Sequence, residues 1–187
     1  MKTLACFVEE QSAEEMLSCI IKKLFTEKVD PKIIVFEGKG DFDKNIEGKL
    51  KNWKKPDTLF LLFRDKDHDD CVELKSKYLQ YLEKYNLDSC SIVRIACREL
   101  ESFYLGDLEA VEKGLSINGL SKLQAKSSYR NPDIIEKPSV ILKRITNQSY
   151  QKIQGSREIS RFLKLDGSNR SKSFNVLIEG LDRLINS

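Results

Sequence analysis

Hydrophobic positions follow two alternating rhythms over the first hundred residues. Leu4 to Val8 is a short apolar run closed by Glu9 and Glu10. Met16, Leu17, Ile20, Ile21, Leu24 and Phe25 then return at helical spacing. Ser12, with Glu15 three positions on, predicts a capping box at the start of that helix, and Asp30-Pro31 predicts its end. Lys32 to Phe36 is a second strand, followed by the turn Glu37-Gly38-Lys39-Gly40. Asp41 to Trp53 places Phe42, Ile46, Leu50 and Trp53 on one helix face. Thr58 to Phe63 is an unbroken apolar or β-branched run, the pattern of a strand buried on both faces. A third helix over Asp70 to Tyr85 turns Leu74, Tyr78, Tyr81 and Leu82 inward, and Ser91 to Ala96 is a fourth strand.

This β-α-β-α-β-α-β order predicts an α/β fold. Its parallel sheet has about four strands, with right-handed helical crossovers on both faces. After Gly106 the composition shifts to Ser, Lys, Asn and Gly, and strand patterns stop. Helices are expected over Asp107–Gly114, Leu120–Lys126, Ser139–Thr146, Ser156–Leu165 and Ser171–Ile185, with a loop at Ser127–Asp133. The chain divides into an α/β core over residues 1–106 and a helical extension over residues 107–187 that packs on it.

Composition narrows the chemistry. The 187 residues are 40% hydrophobic and 33% charged, with a net charge of only +3. That mixture supports a core and does not by itself announce a nucleic-acid binder. The single histidine, His68, excludes a His-rich metal site or a His dyad. Five cysteines without a C-x-x-C pair argue against a zinc ribbon and for a reducing compartment. The start of the chain reaches acids too early for a signal peptide, and no apolar run approaches membrane-spanning length. A soluble, cytoplasmic protein is expected.

The candidate chemistry is acidic. The third strand is followed by Asp65, Asp67, Asp69 and Asp70. The first ends in Glu9 and Glu10, and the fourth leads into Glu99 and Glu101. In a parallel sheet these ends share one edge, where open α/β sheets place their sites. Clustered carboxylates repel one another unless a cation sits among them. Hard oxygen donors suit Mg2+ or Mn2+, and such ions support phosphoryl chemistry without histidine. Asp69 and Asp70 also suit the N-terminus of the third helix. A phosphodiester substrate requires cations, for which Lys39, Arg64, Lys66, Arg98, Lys152, Arg157 and Arg170 are candidates. Gly38-Lys39-Gly40 lacks P-loop spacing, so ATP hydrolysis is not expected.

Phe7-Val8-Glu9-Glu10 through Glu14 resembles the opening Toprim motif, and Arg64-Asp65-Lys66-Asp67 resembles the Toprim D-x-D. More narrowly, three segments resemble landmarks of a bacterial Toprim-like domain-of-unknown-function family: Arg98-Glu99-Leu100-Glu101 through Leu105, Tyr150-Gln151-Lys152, and Arg170 through Phe174. Genes of that family accompany ABC/SMC-like ATPases in phage-defence loci. The resemblance implies a Toprim-like Rossmannoid core and a metal-dependent nuclease acting on DNA or a structured RNA such as tRNA. It implies Glu9, Asp65 and Asp67 as ligands of a first Mg2+, with Glu99 or Glu101 and Asp69 completing a second site. Lys39 and Arg98 would hold the scissile phosphate, with Arg64, Lys152 and Arg170 as further phosphate contacts. An ATPase partner and no membrane association are implied; the oligomeric state stays open, a homodimer included. One departure stands out: Glu10 occupies the position where that first motif usually has Gly.

Three other readings compete. A phosphoacceptor receiver needs Ser or Thr after its fourth strand and Lys after a fifth; here the fourth ends in Ala96-Cys97-Arg98 and no fifth parallel strand follows. A non-catalytic Toprim-like subunit that regulates its ATPase fits the altered first motif. A glycosyltransferase D-x-D is disfavoured by the short chain.

Overall fold

Strand β3 (Thr58–Asp65) is buried at every one of its 8 positions and forms the centre of the molecule. The computed structural model describes residues 1–186. In it β3 lies between β1 (Lys2–Val8) and β4 (Ser91–Ala96), while β2 (Val29–Val35) flanks β1. The sheet has 4 strands in the order β2-β1-β3-β4, and all neighbours run parallel. The crossovers are α1 (Gln11–Phe25), α2 (Lys39–Lys51) and α3 (Cys71–Lys84). The expected α/β architecture is therefore observed.

Strand alternation splits the core into two layers. Leu4, Cys6 and Val8 of β1 and Leu59, Leu61 and Phe63 of β3 face Leu17, Ile20 and Phe25 of α1. Ala5 and Phe7 of β1 and Phe60 and Leu62 of β3 face Phe42 and Ile46 of α2 and Tyr78 and Leu82 of α3. The first layer continues into the C-terminal half. There α4 (Glu101–Leu105) and α5 (Leu108–Gly114) lead to α6 (Pro138–Ile145), α7 (Lys152–Ser160) and α8 (Lys172–Asn186). Phe103, Leu108, Leu142, Ile159, Phe174, Leu177 and Leu181 belong to the same apolar cluster as β1 and β3. The helical half thus buries its apolar faces against the sheet layer. Ser171 accepts from Phe174 N at 3.1 Å to cap α8, and Asp133 accepts from Ser173 N at 2.9 Å.

Several local expectations shift for identifiable reasons. Asp30-Pro31 does not break α1, which ends at Phe25; both residues lie inside β2. An edge strand tolerates a proline whose missing N–H faces away from its neighbour. Helix α2 begins at Lys39 rather than after the glycine turn, with Gly38 at φ 90 supplying the bend. Ser12 is not an N-cap: Glu10 holds that position, and the Ser12 hydroxyl donates to Glu10 Oε1 at 2.6 Å. The segments Ser121–Ala125, Ser127–Tyr129 and Pro132–Ile134 are single 3-10 turns.

Candidate active site at the acidic rim of the sheet

The order β2-β1-β3-β4 reverses direction between β1 and β3, and ligand crevices of open α/β sheets form at such a switch point. Glu9 and Glu10 follow β1, Asp65 ends β3, and the loops after β3 and β4 cover the same rim. Those loops are laced by backbone bonds: Lys66 N donates to Ala96 O at 2.9 Å and Asp67 N to Arg98 O at 2.8 Å. Asp67 (φ 51) and Arg98 (φ 69) both adopt the left-handed conformation, which costs a non-glycine residue about 1 kcal/mol or more and concentrates at functional sites.

Parity along β1 and β3 deals the charged residues onto two sides of the sheet. Glu9 and Arg64 follow Phe7 and Leu62 toward α2 and α3. Arg64 is 1% exposed and is a hub. Its Nη1 donates to Asp43 Oδ1 at 3.1 Å and to the Tyr78 hydroxyl at 2.8 Å, and its Nη2 to Asp69 Oδ2 at 2.7 Å. Lys39 Nζ reaches the same Asp69 oxygen at 2.6 Å. Arg64 Nε lies 3.4 Å from Glu9 Oε2, within ion-pair reach, yet both atoms are buried without a hydrogen-bond partner.

Asp65 follows Leu61 and Phe63 to the opposite side. It meets Glu101, which is 0% exposed on α4. Glu101 Oε1 accepts from the Tyr150 hydroxyl at 3.0 Å, while its Oε2 is buried and unpartnered. Lys152 Nζ donates to Glu10 Oε2 at 2.6 Å beside them.

These carboxylates are costly to ionise together. Burial, then the charges of Glu101, Glu10 and Glu9, push Asp65 well above the ordinary carboxylate range. Burial and the neighbouring Asp67 raise Glu9 against the pull of Arg64. Burial raises Glu101, opposed by Lys152. Asp69 moves the other way, because its hydrogen bond from Lys39 lowers it. Among the described residues no group of three or more His, Cys, Asp or Glu side chains is already gathered into a metal-binding arrangement. The donor set nevertheless fits a hard dication: it is all oxygen, mutually repelling, and includes orphaned carboxylate atoms on Glu9 and Glu101.

The other candidate residues divide. Asp69 sits at the rim but is neutralised by Lys39 and Arg64. Glu99 is spent locally, its Oε2 accepting from Ser139 N at 2.7 Å at the start of α6. Asp70 caps α3, accepting from Val72 N and Glu73 N. Buried, with Nη1 and Nη2 both engaged, Arg64 organises the rim rather than offering its guanidinium to a substrate. Lys152 reaches the rim. Arg157 instead pairs with Glu15 on α1. Arg170 lies in a separate cleft with Gly106, Glu109 and Lys164. His68 is exposed on the loop. Sequence reading missed Asp43, Tyr78 and Tyr150. The positions of Asp43 and Tyr78 on the inward faces of α2 and α3 were the available signal; Tyr150 had none beyond its place in a landmark segment.

No curated protein and no solved structure gives a significant match to the chain. A family model described as a domain of unknown function, DUF4276, matches residues 8–182, from the end of β1 into α8. With nearly the whole fold inside that match, the chain belongs to the DUF4276 family.

Proposed function

We propose that this protein is a Toprim-type, divalent-metal-dependent nuclease whose active site is the acidic rim. The carrying observation is the convergence of Glu9, Glu10, Asp65, Asp67 and Glu101 at the switch point, where burial and neighbouring carboxylates raise the proton affinity of Glu9, Asp65 and Glu101. Glu9, Asp65 and Asp67 would hold Mg2+ or Mn2+, with Glu101 adding an oxygen on the α4 side. When bound, the metal would supply charge neutralisation at the phosphoryl group and a more acidic water.

The chain's own groups do the rest. Tyr150 fixes the rotamer of Glu101 and leaves its Oε2 available to accept a proton or a ligand. Arg64 anchors the Glu9 side of the rim. Lys39 and Lys152, 41% and 47% exposed, would meet a phosphate, each by leaving its present carboxylate. Arg98 joins them from the loop after β4. The buried floor of Leu61, Phe63 and Leu100 keeps the inner side of the rim dry.

DNA or a structured RNA is the proposed substrate, and an ABC/SMC-like ATPase the proposed partner. Both follow the Toprim-like landmarks at Glu9, Asp65-Lys66-Asp67 and Arg98 to Leu105. A place in phage defence follows from the same landmarks.

The test is cleavage of plasmid and bulk tRNA with Mg2+ or Mn2+, by wild type and by Asp65→Ala, Asp67→Ala protein shown to be folded by its melting curve. Loss of cleavage in the variant is expected; cleavage retained at the wild-type rate contradicts the assignment. A second reading, a regulatory subunit without catalysis, draws on one observation: Lys152 already neutralises Glu10, the acid that stands where Toprim motifs have glycine. Tight ATPase binding by a protein inert on both substrates supports it.

A further inference from the structure

A large unassigned cleft lies at the opposite edge of the sheet, where β1, β3 and β4 begin. It encloses about 600 Å³, within the roughly 300–1,000 Å³ of small-molecule sites. Its walls are apolar and aromatic: Leu50, Trp53, Leu59, Phe60, Tyr85 and Leu87. Both amphipathic rings have their polar tips tied down elsewhere. Trp53 Nε1 donates to Thr58 Oγ1 at 3.0 Å, and the Tyr85 hydroxyl donates to Glu47 at 2.9 Å. Trp53 also stands edge-on to Phe7 and Phe60, with ring centres 5.8 and 5.6 Å away, so its orientation is set by packing.

The cleft's charge is one-sided. Lys2, Lys51, Lys54 and Lys55 line it against the single carboxylate of Asp57. Lys55 is partly satisfied by Asp30 at 3.4 Å. Lys51 and Lys54 are exposed and form no ion pair among the described residues. The α2 dipole accounts for a lysine at Lys51, in the last turn of that helix. It does not account for Lys54 and Lys55, beyond the helix end, or for Lys2 on another strand.

A rigid aromatic wall rimmed by lysines, with the ammonium groups of Lys51 and Lys54 outside any ion pair among the described residues, matches a flat base carrying a phosphate. We propose that this cleft binds a nucleotide, its base against Trp53 and its phosphate on Lys51 and Lys54. The nucleotide is either free or the end of a single strand. The site is independent of the acidic rim and of any metal.

Trp53 is the only tryptophan in the chain, so its fluorescence reports on the cleft alone. The experiment titrates AMP, adenosine and a short 5′-phosphorylated oligoadenylate into the full chain with EDTA present. Quenching by AMP that saturates and weakens with salt is expected, together with an affinity loss of about tenfold or more in Lys51→Glu, Lys54→Glu protein. Lys143→Glu, Lys172→Glu protein has the same net charge, altered at two exposed sites outside the cleft, and should bind as wild type. Tighter binding of the oligonucleotide assigns the site to a strand end, and equal binding to a free nucleotide. Asp65→Ala, Asp67→Ala protein should bind AMP normally, which separates this site from the nuclease assignment. No saturable quenching, adenosine binding as tightly as AMP, or equal loss in both charge-reversed variants overturns the proposal.

Discussion

Arg64 shows how much one side chain can organise. An arginine has room for five hydrogen bonds and cannot shed its charge, so burying it is tolerable only inside a carboxylate cage. Asp43, Asp69 and Glu9 form that cage, with the Tyr78 hydroxyl between. Replacing Arg64 by Met leaves three carboxylates facing an apolar chain. Because Asp43 and Asp69 are partly exposed, at 27% and 35%, water recovers some of the loss. The expected destabilisation is about 3 kcal/mol, the low end for breaking a buried pair. Urea unfolding checks it; a change within ~0.5 kcal/mol would mean that Arg64 is not a hub. Sequence reading treated Arg64 as a phosphate contact because a charged residue after an apolar run looks solvated. The register that pairs Val8 with Phe63, and so extends to Glu9 beside Arg64, becomes visible only once β1 and β3 are known to be neighbours.

At the scale of elements, two glycines make opposite predictions. A Cβ at Gly114 would lie 2.7 Å from the Ile159 Cα, so α5 and α7 touch through backbone. Backbone cannot rotate out of the way. Gly114→Ala is expected to cost about 1–3 kcal/mol by overpacking. Gly48, exposed inside α2, has nothing within 4 Å of its Cβ position. Gly48→Ala should instead add about 0.5–1 kcal/mol through helix propensity. Paired thermal melts test both, and equal shifts would refute the close approach of α5 and α7.

The same scale shows what periodicity can and cannot reveal. The strand cores at Leu4–Val8, Thr58–Phe63 and Ser91–Ala96 were legible because apolar runs of that kind have few other uses. The start of β2 was hidden because Asp30-Pro31 has the composition of a breaker and only the edge position permits it. Convergence of the acids on one edge followed from parallel order. Their division between two faces, with Glu9 on one and Asp65 on the other, did not. Nor did the roles of Tyr150 and Lys152, which reach the rim from the start of α7 and the residues just before it, remote in sequence.

For the molecule as a whole, the acidic rim links stability to pH and, on the proposed assignment, to metal. Asp65, Glu9 and Glu101 have folded-state proton affinities above their ordinary values of 3.8, 4.5 and 4.5. The native state therefore holds protons that the unfolded chain has already lost. Stability from this cluster is present below those ordinary values and is lost as pH rises through the raised ones. Depressed carboxylates such as Asp69 and Glu15 act oppositely, losing their contribution on acidification, but they are more exposed and weigh less. Metal-free protein is thus expected to melt at a higher temperature near about pH 5 than near about pH 8, with Mg2+ or Mn2+ restoring stability chiefly at the higher pH. Asp65→Asn should flatten that pH dependence. A melting temperature that rises steadily from mildly acidic to alkaline pH would contradict the coupling.

The proposed function stands or falls with metal binding at the rim. Its most direct test is calorimetric titration of Mg2+ and Mn2+ into wild type and Asp65→Asn protein, near neutral pH and in two buffers of different ionisation enthalpy. The expected result is saturable binding with proton release in wild type, since a cation must displace the protons held by Asp65 and its neighbours. Binding should be lost or strongly weakened in the variant. Absence of binding in wild type, or binding of equal strength in Asp65→Asn protein, would contradict the claim.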